Sequence, residues 1–526
     1  MLLIMTRIGT RREPEYKQLN FDTAMRNPER LKDVLLLIKS YEGIELNDKN
    51  LLDIVCDMYE SGIVKSEEFN IKKLHNKEQI QNKVIEINKT RNGDGGFPKG
   101  YQSRFWTYMR TLSEFGFVYA RYNKKLIIGD VAKKLISNEI DPQEAFSLQA
   151  MKYNWKSPYK NVSNDYNYFK FIIKVLKELD KKEKKLSYNQ FVVSLFSKEA
   201  DVEKFLTTIE NNSFATEDSV YEYLNETYGK QNKFGTVIRD YPDTVLRMLR
   251  ITGFVNIVNQ GVLLIEFNHD SEKFVNYFLE KEDNFTETEK NVDIDYFNKI
   301  NIITADEMKL IKNSRNSRNS NIEIMDYNFI LNKIVSDYKL NIESILEHIS
   351  NIGVRGKNIE FKYIDYPLQF EFYLSILLYL IYGETHSVRP NYKIDAYGMP
   401  ISHAPGNCGD IEVIGNGIYW LLEVTLIRNK AQQLNNETAN LFRHISDQEW
   451  DEKYMSLVAP YVHADTYKFF NALIVDYIRE HGKSNFNAKC YVTDEFIKEC
   501  ISKNIFDDMK KYTNEYKQSL LNALNS

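Results

Sequence analysis

The residues best suited to chemistry are two carboxylates, Asp410 and Glu423, in the run GDIEVIGNGIYWLLEVTL, residues 409–426. Asn416-Gly417 inside it is the strongest short signal for a two-residue β-hairpin turn. With those residues as the turn, Gly415 pairs with Ile418, and pairing outward sets Asp410 opposite Glu423. Side chains so placed have Cβ atoms about 5 Å apart, where like charges are destabilising. A divalent cation removes that repulsion. Mg²⁺ takes one or two carboxylates and completes its shell with water and substrate phosphate oxygens. Strand alternation puts Glu412 on the face of Asp410 and Thr425 on that of Glu423, while Trp420 and Leu422 turn the other way, to a core. An Asp at a frayed hairpin end often does no more than sit in water. Two neighbours point further. The preceding HAPGNCG is a Gly/Pro-rich loop of the kind found at active-site rims. The following IRNKAQQLNNETANLFRHISDQEW reads as a helix that brings Glu437 and His444 onto one face, two turns apart.

Such a hairpin needs a scaffold. A domain is expected from about Tyr327 onward, with helices over 344–352 and 369–382, then the hairpin, then helices to the C-terminus. Helices flanking a sheet make this part α/β or α+β. Its most apolar run, YLSILLYLIYG, is about half the length that crosses a bilayer, so it reads as a buried helix.

The N-terminal half carries an internal repeat. TYMRTLSEFGFV, residues 107–118, and TVLRMLRITGFV, residues 244–255, share Thr-x-x-Arg-x-Leu-x-x-x-Gly-Phe-Val. Each is followed by two short apolar, β-rich runs, turning near Tyr122-Asn123 and near Asn259-Gln260-Gly261. The pattern reads as helix, glycine cap and hairpin, the ending of a winged-helix module. The first copy lies in a basic, aromatic-rich stretch. Lys99, Tyr101, Arg104, Arg110, Arg121, Lys124 and Lys125 are its candidates for DNA, the helix arginines for base edges and the wing lysines for phosphate. The second copy is less basic (Arg239, Arg247, Arg250), which points to a partly structural role, with Arg247 kept as a DNA candidate. The charged stretch that follows includes KNSRNSRNSN, residues 312–321, and reads as an exposed linker.

A chain of 526 residues, 43% hydrophobic, has material for several cores, and its net charge of −5 marks no general polyanion binder. Its four cysteines are scattered without metal-ligand spacing, as reduced thiols are in a cytoplasmic protein. The opening MLLIMTRIGTRREPEY has too short an apolar stretch for a signal-peptide core.

Asp on one strand followed by Glu on the next resembles the PD-(D/E)xK nucleases. APGNCGDIEV with LLEVTL is similar to the motif region of AlwI-type restriction endonucleases, a group of type IIS and nicking enzymes. The resemblance implies Asp410 and Glu423 as Mg²⁺ ligands, Glu371 as the upstream catalytic acid, and Glu437 and His444 as the acid and histidine of the following helix. Two positions depart from the pattern: Gly409 stands where Pro is usual, and Thr425 where Lys is usual. That Lys orients or deprotonates the attacking water, so His444 or Glu437 becomes the candidate for its task.

The expectation is an α+β multidomain protein. Winged-helix-like recognition subdomains span 1–145 and 146–270, a linker 271–335, and a cleavage domain of the PD-(D/E)xK kind 336–526. The expected activity is Mg²⁺-dependent hydrolysis of DNA at a short asymmetric double-stranded site, cutting or nicking a few bases away. Expected partners are double-stranded DNA, a second nuclease subunit or transient homodimer for cutting both strands, and a cognate DNA methyltransferase; none is a membrane. The rival from another class is a DNA-binding regulator or scaffold with an inactive nuclease-like domain, for which Thr425 speaks. A metal hydrolase of nucleotides or RNA is a third reading, against which the basic repeat speaks.

Overall fold

In a computed structural model of the chain, the structure describes residues 17–66, 68–71, 74, 76–89, 100–322, 326–354, 356–404, 408–427, 433, 445, 450–481 and 486–525. The two repeats end alike, in a helix, a glycine turn and a hairpin, with one more helix leading into the second. The first runs through α1 (Leu31–Ile38), α2 (Asp48–Glu60), α3 (Lys77–Ile87), α4 (Tyr101–Glu114) and the hairpin of β1 (Val118–Tyr119) and β2 (Ile127–Ile128). Residues 44–46, between α1 and α2, bond along the chain just before β2: Leu126 N donates to Ile44 O at 2.9 Å and Leu46 N to Lys124 O at 2.9 Å. After α5 (Asp130–Ile136) and α6 (Pro142–Lys152), the second repeat runs through α7 (Tyr168–Asp180), β3 (Leu186–Ser187), α8 (Tyr188–Ser194), α9 (Val202–Asn211), α10 (Glu217–Tyr228) and α11 (Tyr241–Ile251). It ends in the hairpin of β4 (Val255–Gln260) and β5 (Val262–Phe267), with β3 paired on β5. In each unit a short strand after the first helix pairs with the second arm of the closing hairpin.

The glycines of the repeat work as expected from sequence. Gly116 and Gly253 both have positive φ, +66° and +70°. Only a residue without Cβ takes that conformation at low cost. Helix α6 lies against both turns: the Gln149 amide donates to Phe115 O, and Ser147 Oγ donates to Thr252 O at 2.7 Å. A side chain on Gly253 would overlap the Gln143 amide. One continuous apolar core therefore runs through both repeats, from Leu19 to Ile311, across the expected boundary at 145/146.

The stretch expected to be a linker is helical: α12 (Glu272–Leu279), α13 (Glu287–Asn291), α14 (Asp293–Ile300) and α15 (Ala305–Ile322). Phe274, Val275, Phe278, Leu310 and Ile311 bury themselves in the N-terminal core, which outweighs the polar look of the segment. The run KNSRNSRNSN lies inside α15 rather than in a loop.

The C-terminal half begins with α16 (Tyr327–Asp337), α17 (Ile342–Ser350) and α18 (Tyr366–Tyr382). Pro367 in the first turn suits the start of α18. Its residues are apolar nearly all round, as in a helix buried on most sides. Then come β6 (Ser387–Pro390), a small hairpin of β7 (Lys393–Ile394) and β8 (Pro400–Ser402), the hairpin of β9 (Ile411–Gly415) and β10 (Ile418–Val424), β11 (Glu452–Ala459), α19 (Ala464–His481), β12 (Phe486–Val492), α20 (Thr493–Ile501) and α21 (Ile505–Asn525). The main sheet has the order β12-β11-β10-β9-β6, with β10, β11 and β12 parallel and β9 and β6 antiparallel. Helices were expected after the hairpin; β11 and β12 correct that reading. Their side chains are buried on both faces, so they lack the alternation that reveals a half-exposed strand. Trp420, Leu422 and Val424 pack with α18, α20 and α21, whereas Tyr419 and Leu421 pack with α19.

Candidate active site

The hairpin register is the one the Asn416-Gly417 turn dictates: Gly415 pairs with Ile418 and Ile411 with Leu422. Asn416 and Gly417 both have positive φ, +51° and +76°, as the type I′ turn requires. The regular pairing ends at Ile411 and Leu422: Asp410 N also donates to Leu422 O at 3.0 Å, so Asp410 closes the end of the ladder beside Leu422 rather than continuing it square to Glu423. Asn391 holds the same point from β6's side, its backbone N on Asp410 O at 2.9 Å and its side-chain amide on Gly409 O at 2.8 Å. Gly409 is required by packing: a Cβ there would stand 2.5 Å from Leu421 Cδ1.

Asp410 is 9% exposed, and its Oδ2 accepts from Val424 N at 2.8 Å. Glu423 is half-buried on the neighbouring strand. The acids' face of the hairpin is not polar along its length, because Tyr419 and Leu421 on it are buried against α19. Only its open end is polar. Thr425 cannot do the work of a lysine: it is buried, and its hydroxyl accepts from Ile427 N at 3.1 Å.

Glu371, in the second turn of α18, has one oxygen 2.5 Å from His403 Nδ1, while its other oxygen is buried without a hydrogen-bond partner. Burial alone would lower the His403 imidazole, but Glu371 in contact, with Asp365 and Glu29 nearby, raises it to about 10. Asp365, at the head of α18, is pushed up to about 6 by burial and by Glu29. His403 is the site residue that sequence reasoning missed. Its signal was its place in HAPGNCG, directly before the hairpin.

Asp410, Glu423, Thr425, Glu371 and His403 line one cleft of about 2290 Å³ between the two halves of the chain. Bases from both halves line it too, among them Arg30, Lys32, Lys65, Lys333 and Arg389. Among the described residues no three His, Cys, Asp or Glu side chains converge as a metal cluster. Asp410 and Glu423 offer two carboxylates on the lining of the cleft, a donor set of the size that suits Mg²⁺. Glu437 and His444 lie outside the described residues, as does Lys99.

The other DNA candidates divide. Arg104 and Arg110 lie on α4; Arg104 donates to Asn88 Oδ1 at 3.2 Å, and half-exposed Arg110 stands 3.6 Å from Asp22. Tyr101 donates to Asp48 O at 3.2 Å. Lys124 and Lys125 are exposed between β1 and β2. None of these lines the cleft of the acids. Arg121 is tied to Asp293 and lies over the Tyr159 ring. Arg247 is turned inward, bonded to Asp243 at 3.0 Å, to Asn27 at 2.6 Å and to the carbonyl of Lys362. Its charge is spent within the protein.

Fold and site together define an α+β protein with two acids, Asp410 buried and Glu423 half-buried, at the open end of a hairpin, facing a cleft. The sequence model of the AlwI restriction endonuclease family matches residues 113–365 and 299–497, which together run through well over half of the chain. The chain belongs to that family, and with it to the restriction endonucleases, nucleases that act on DNA. Among nine matching solved chains is the small subunit (R.BspD6I2) of the heterodimeric restriction endonuclease R.BspD6I, 20% identical, covering 34% of this chain and 87% of that one, with a TM-score of 0.22. A search of curated proteins finds no match. Among the described residues no helix is long and apolar enough to cross a membrane.

Proposed function

We propose that the chain is a Mg²⁺-dependent, sequence-specific endonuclease of the type IIS or nicking kind, which binds a short asymmetric duplex site and cuts a few bases away. The observation that carries this is that Asp410 and Glu423, at the open end of one hairpin, both line the cleft, in a chain of this family. Asp410 and Glu423 would hold the cation, and Glu371 would be the upstream acid. Bound there, Mg²⁺ neutralises the acid pair and lowers the pKa of water. The task of the missing lysine is assigned to Glu437 or His444. Water would attack phosphorus in line, with inversion, as the bond from phosphorus to the leaving oxygen breaks, the water giving up a proton and the leaving oxygen taking one up. The cleft far exceeds the ~300–1,000 Å³ of a small-molecule pocket, which favours a macromolecular substrate.

The shared ending of the two repeats supports tandem winged-helix-like recognition units, the first presenting Arg104 and Arg110 to bases and Lys124 and Lys125 to phosphate. The domain plan places these units within 1–270 and cleavage within 336–526, with 271–335 between them as packed helices. One acid pair serves one strand. Double-strand cutting then needs a second subunit or transient dimer, and a cognate methyltransferase would protect the host DNA in the cytoplasm. A specific observation favours the rival, a regulator without catalysis: the Thr425 hydroxyl is committed to its own turn. Run-off sequencing of both strands of a defined plasmid after incubation with Mg²⁺ decides. The proposal expects breaks at a fixed distance from one short sequence; a shift of intact DNA on a gel, with no break, supports the rival.

A further inference from the structure

The β7–β8 hairpin belongs by chain to the C-terminal half, yet its anchors lie in the N-terminal half. Lys393 is paired with Asp141, the N-cap of α6. Ala396 N donates to Asn256 Oδ1 on β4 at 3.2 Å. Lys185 Nζ donates to the Tyr397 hydroxyl at 3.0 Å. Arg250, on α11, donates from Nη1 to Pro400 O at 3.1 Å and to Ile401 O at 2.7 Å.

Arg250 is 5% exposed, and its Nη2 is paired with Glu29, itself buried. A buried ion pair is poor value for stability, because desolvation offsets most of its attraction. This one holds two carbonyls of a strand that leads straight into the site: Ile401 is two residues before His403, and His403 touches Glu371. Helix α11 holds the place in the second repeat that α4 holds in the first. Yet Arg247 and Arg250 both reach from it to the C-terminal half, Arg247 to residues 362 and 363 just ahead of α18. Both chain segments that lead to the His403–Glu371 contact are therefore gripped by one helix of the recognition half.

We propose that Arg250 is a positioning residue for cleavage: by clamping the carbonyls of Pro400 and Ile401 it fixes His403 against Glu371, and so ties the geometry of the cleavage site to the recognition half. The second repeat's helix thus serves coupling rather than base reading. This rests on the endonuclease reading above.

The test uses the full chain as Arg250→Met, Arg250→Lys and the double variant Glu29→Met/Arg250→Met, beside the unaltered protein and Asp410→Ala. The double variant leaves no unpaired buried charge, so it keeps the test valid if Arg250→Met folds poorly. Three quantities are read: binding to the duplex the unaltered protein cuts, single-turnover cleavage in Mg²⁺, and amide exchange over residues 399–404. The double variant is expected to bind within about twofold of the unaltered protein and to cleave about ten- to a hundredfold more slowly, the scale of a small misplacement of catalytic groups. Exchange over 399–404 is expected to quicken. Arg250→Lys, which cannot span both carbonyls as a planar fork, is expected to fall between. Cleavage by the double variant at the unaltered rate overturns the proposal, as does a parallel loss of binding and cleavage, which marks a merely structural pair. If the unaltered protein cleaves no more than Asp410→Ala does, the endonuclease reading fails and this proposal falls with it.

Discussion

Asp395→Asn should gain stability relative to the unaltered protein as pH rises from about 4 to 8. Asp395 turns the β7–β8 hairpin, its Oδ1 accepting from the backbone N of Tyr397 and of Met399, each at 2.9 Å. Burial pushes its carboxyl up from 3.8 to about 7, against the lowering pull of those amides. A carboxyl raised in the folded state keeps its proton where the unfolded chain has already lost it. The fold therefore carries no penalty below about pH 3.8, loses stability as pH rises through the interval, and bears the full penalty above about 7. About three units at ~1.4 kcal/mol each give roughly 4 kcal/mol. Asn keeps an acceptor for the amides of Tyr397 and Met399 and cannot ionise, but turns its NH2 toward the third amide, Ile257 N, a loss that does not vary with pH; relative to the unaltered protein the variant should therefore improve by up to that amount between pH 4.5 and 8. Urea unfolding of both proteins at pH 4.5, 6, 7 and 8 measures it, the difference between them cancelling every other titration. A difference that stays flat across those pH values would refute the reasoning.

Four further outcomes are expected. Gly253→Ala should cost about 1–3 kcal/mol from the positive φ alone, with the Gln143 overlap adding to it, whereas Gly261→Ala, at φ +83° with nothing near its Cβ, should pay the conformational term only; urea midpoints compare them. Arg104→Ala should lose about 1–3 kcal/mol of discrimination between the specific and a scrambled duplex. Lys125→Ala should weaken both alike and flatten the salt slope by about one unit, as binding titrations at several salt concentrations would show. Ca²⁺ in place of Mg²⁺ should support binding with little cleavage, because it accepts more ligands at longer distances.

What the sequence showed depended on how local the cause was. The Asn416-Gly417 turn sets its own register, so the pairing out to Ile411 and Leu422 was legible locally, whereas the place of Asp410 beyond it is set by its bonds to Leu422, Val424 and Asn391. The Gly-Phe-Val repeat was equally plain, since each glycine must take positive φ. The strands β11 and β12 were hidden because burial on both faces erases alternation. Residues 271–322 looked like a linker because three of their four helices are short and their apolar anchors are sparse; what holds them is a core built by residues far away in sequence. Arg247 shows a different limit. An arginine announces its charge, but whether phosphate, base or a carbonyl such as that of Lys362 answers it is decided by tertiary packing. His403 stood in plain view in HAPGNCG, yet only the folding of α18 over the hairpin brings Glu371 to it.

The central claim is that Asp410 and Glu423 form the centre that breaks DNA. The most direct measurement compares the unaltered protein with Asp410→Ala and Glu423→Ala in a single Mg²⁺ plasmid-cleavage assay, with binding to the cut site followed in parallel. The account predicts that cleavage is abolished in both variants while specific binding stays largely intact, because the acids hold metal and read no bases. Normal cleavage by either variant under the same conditions would contradict it.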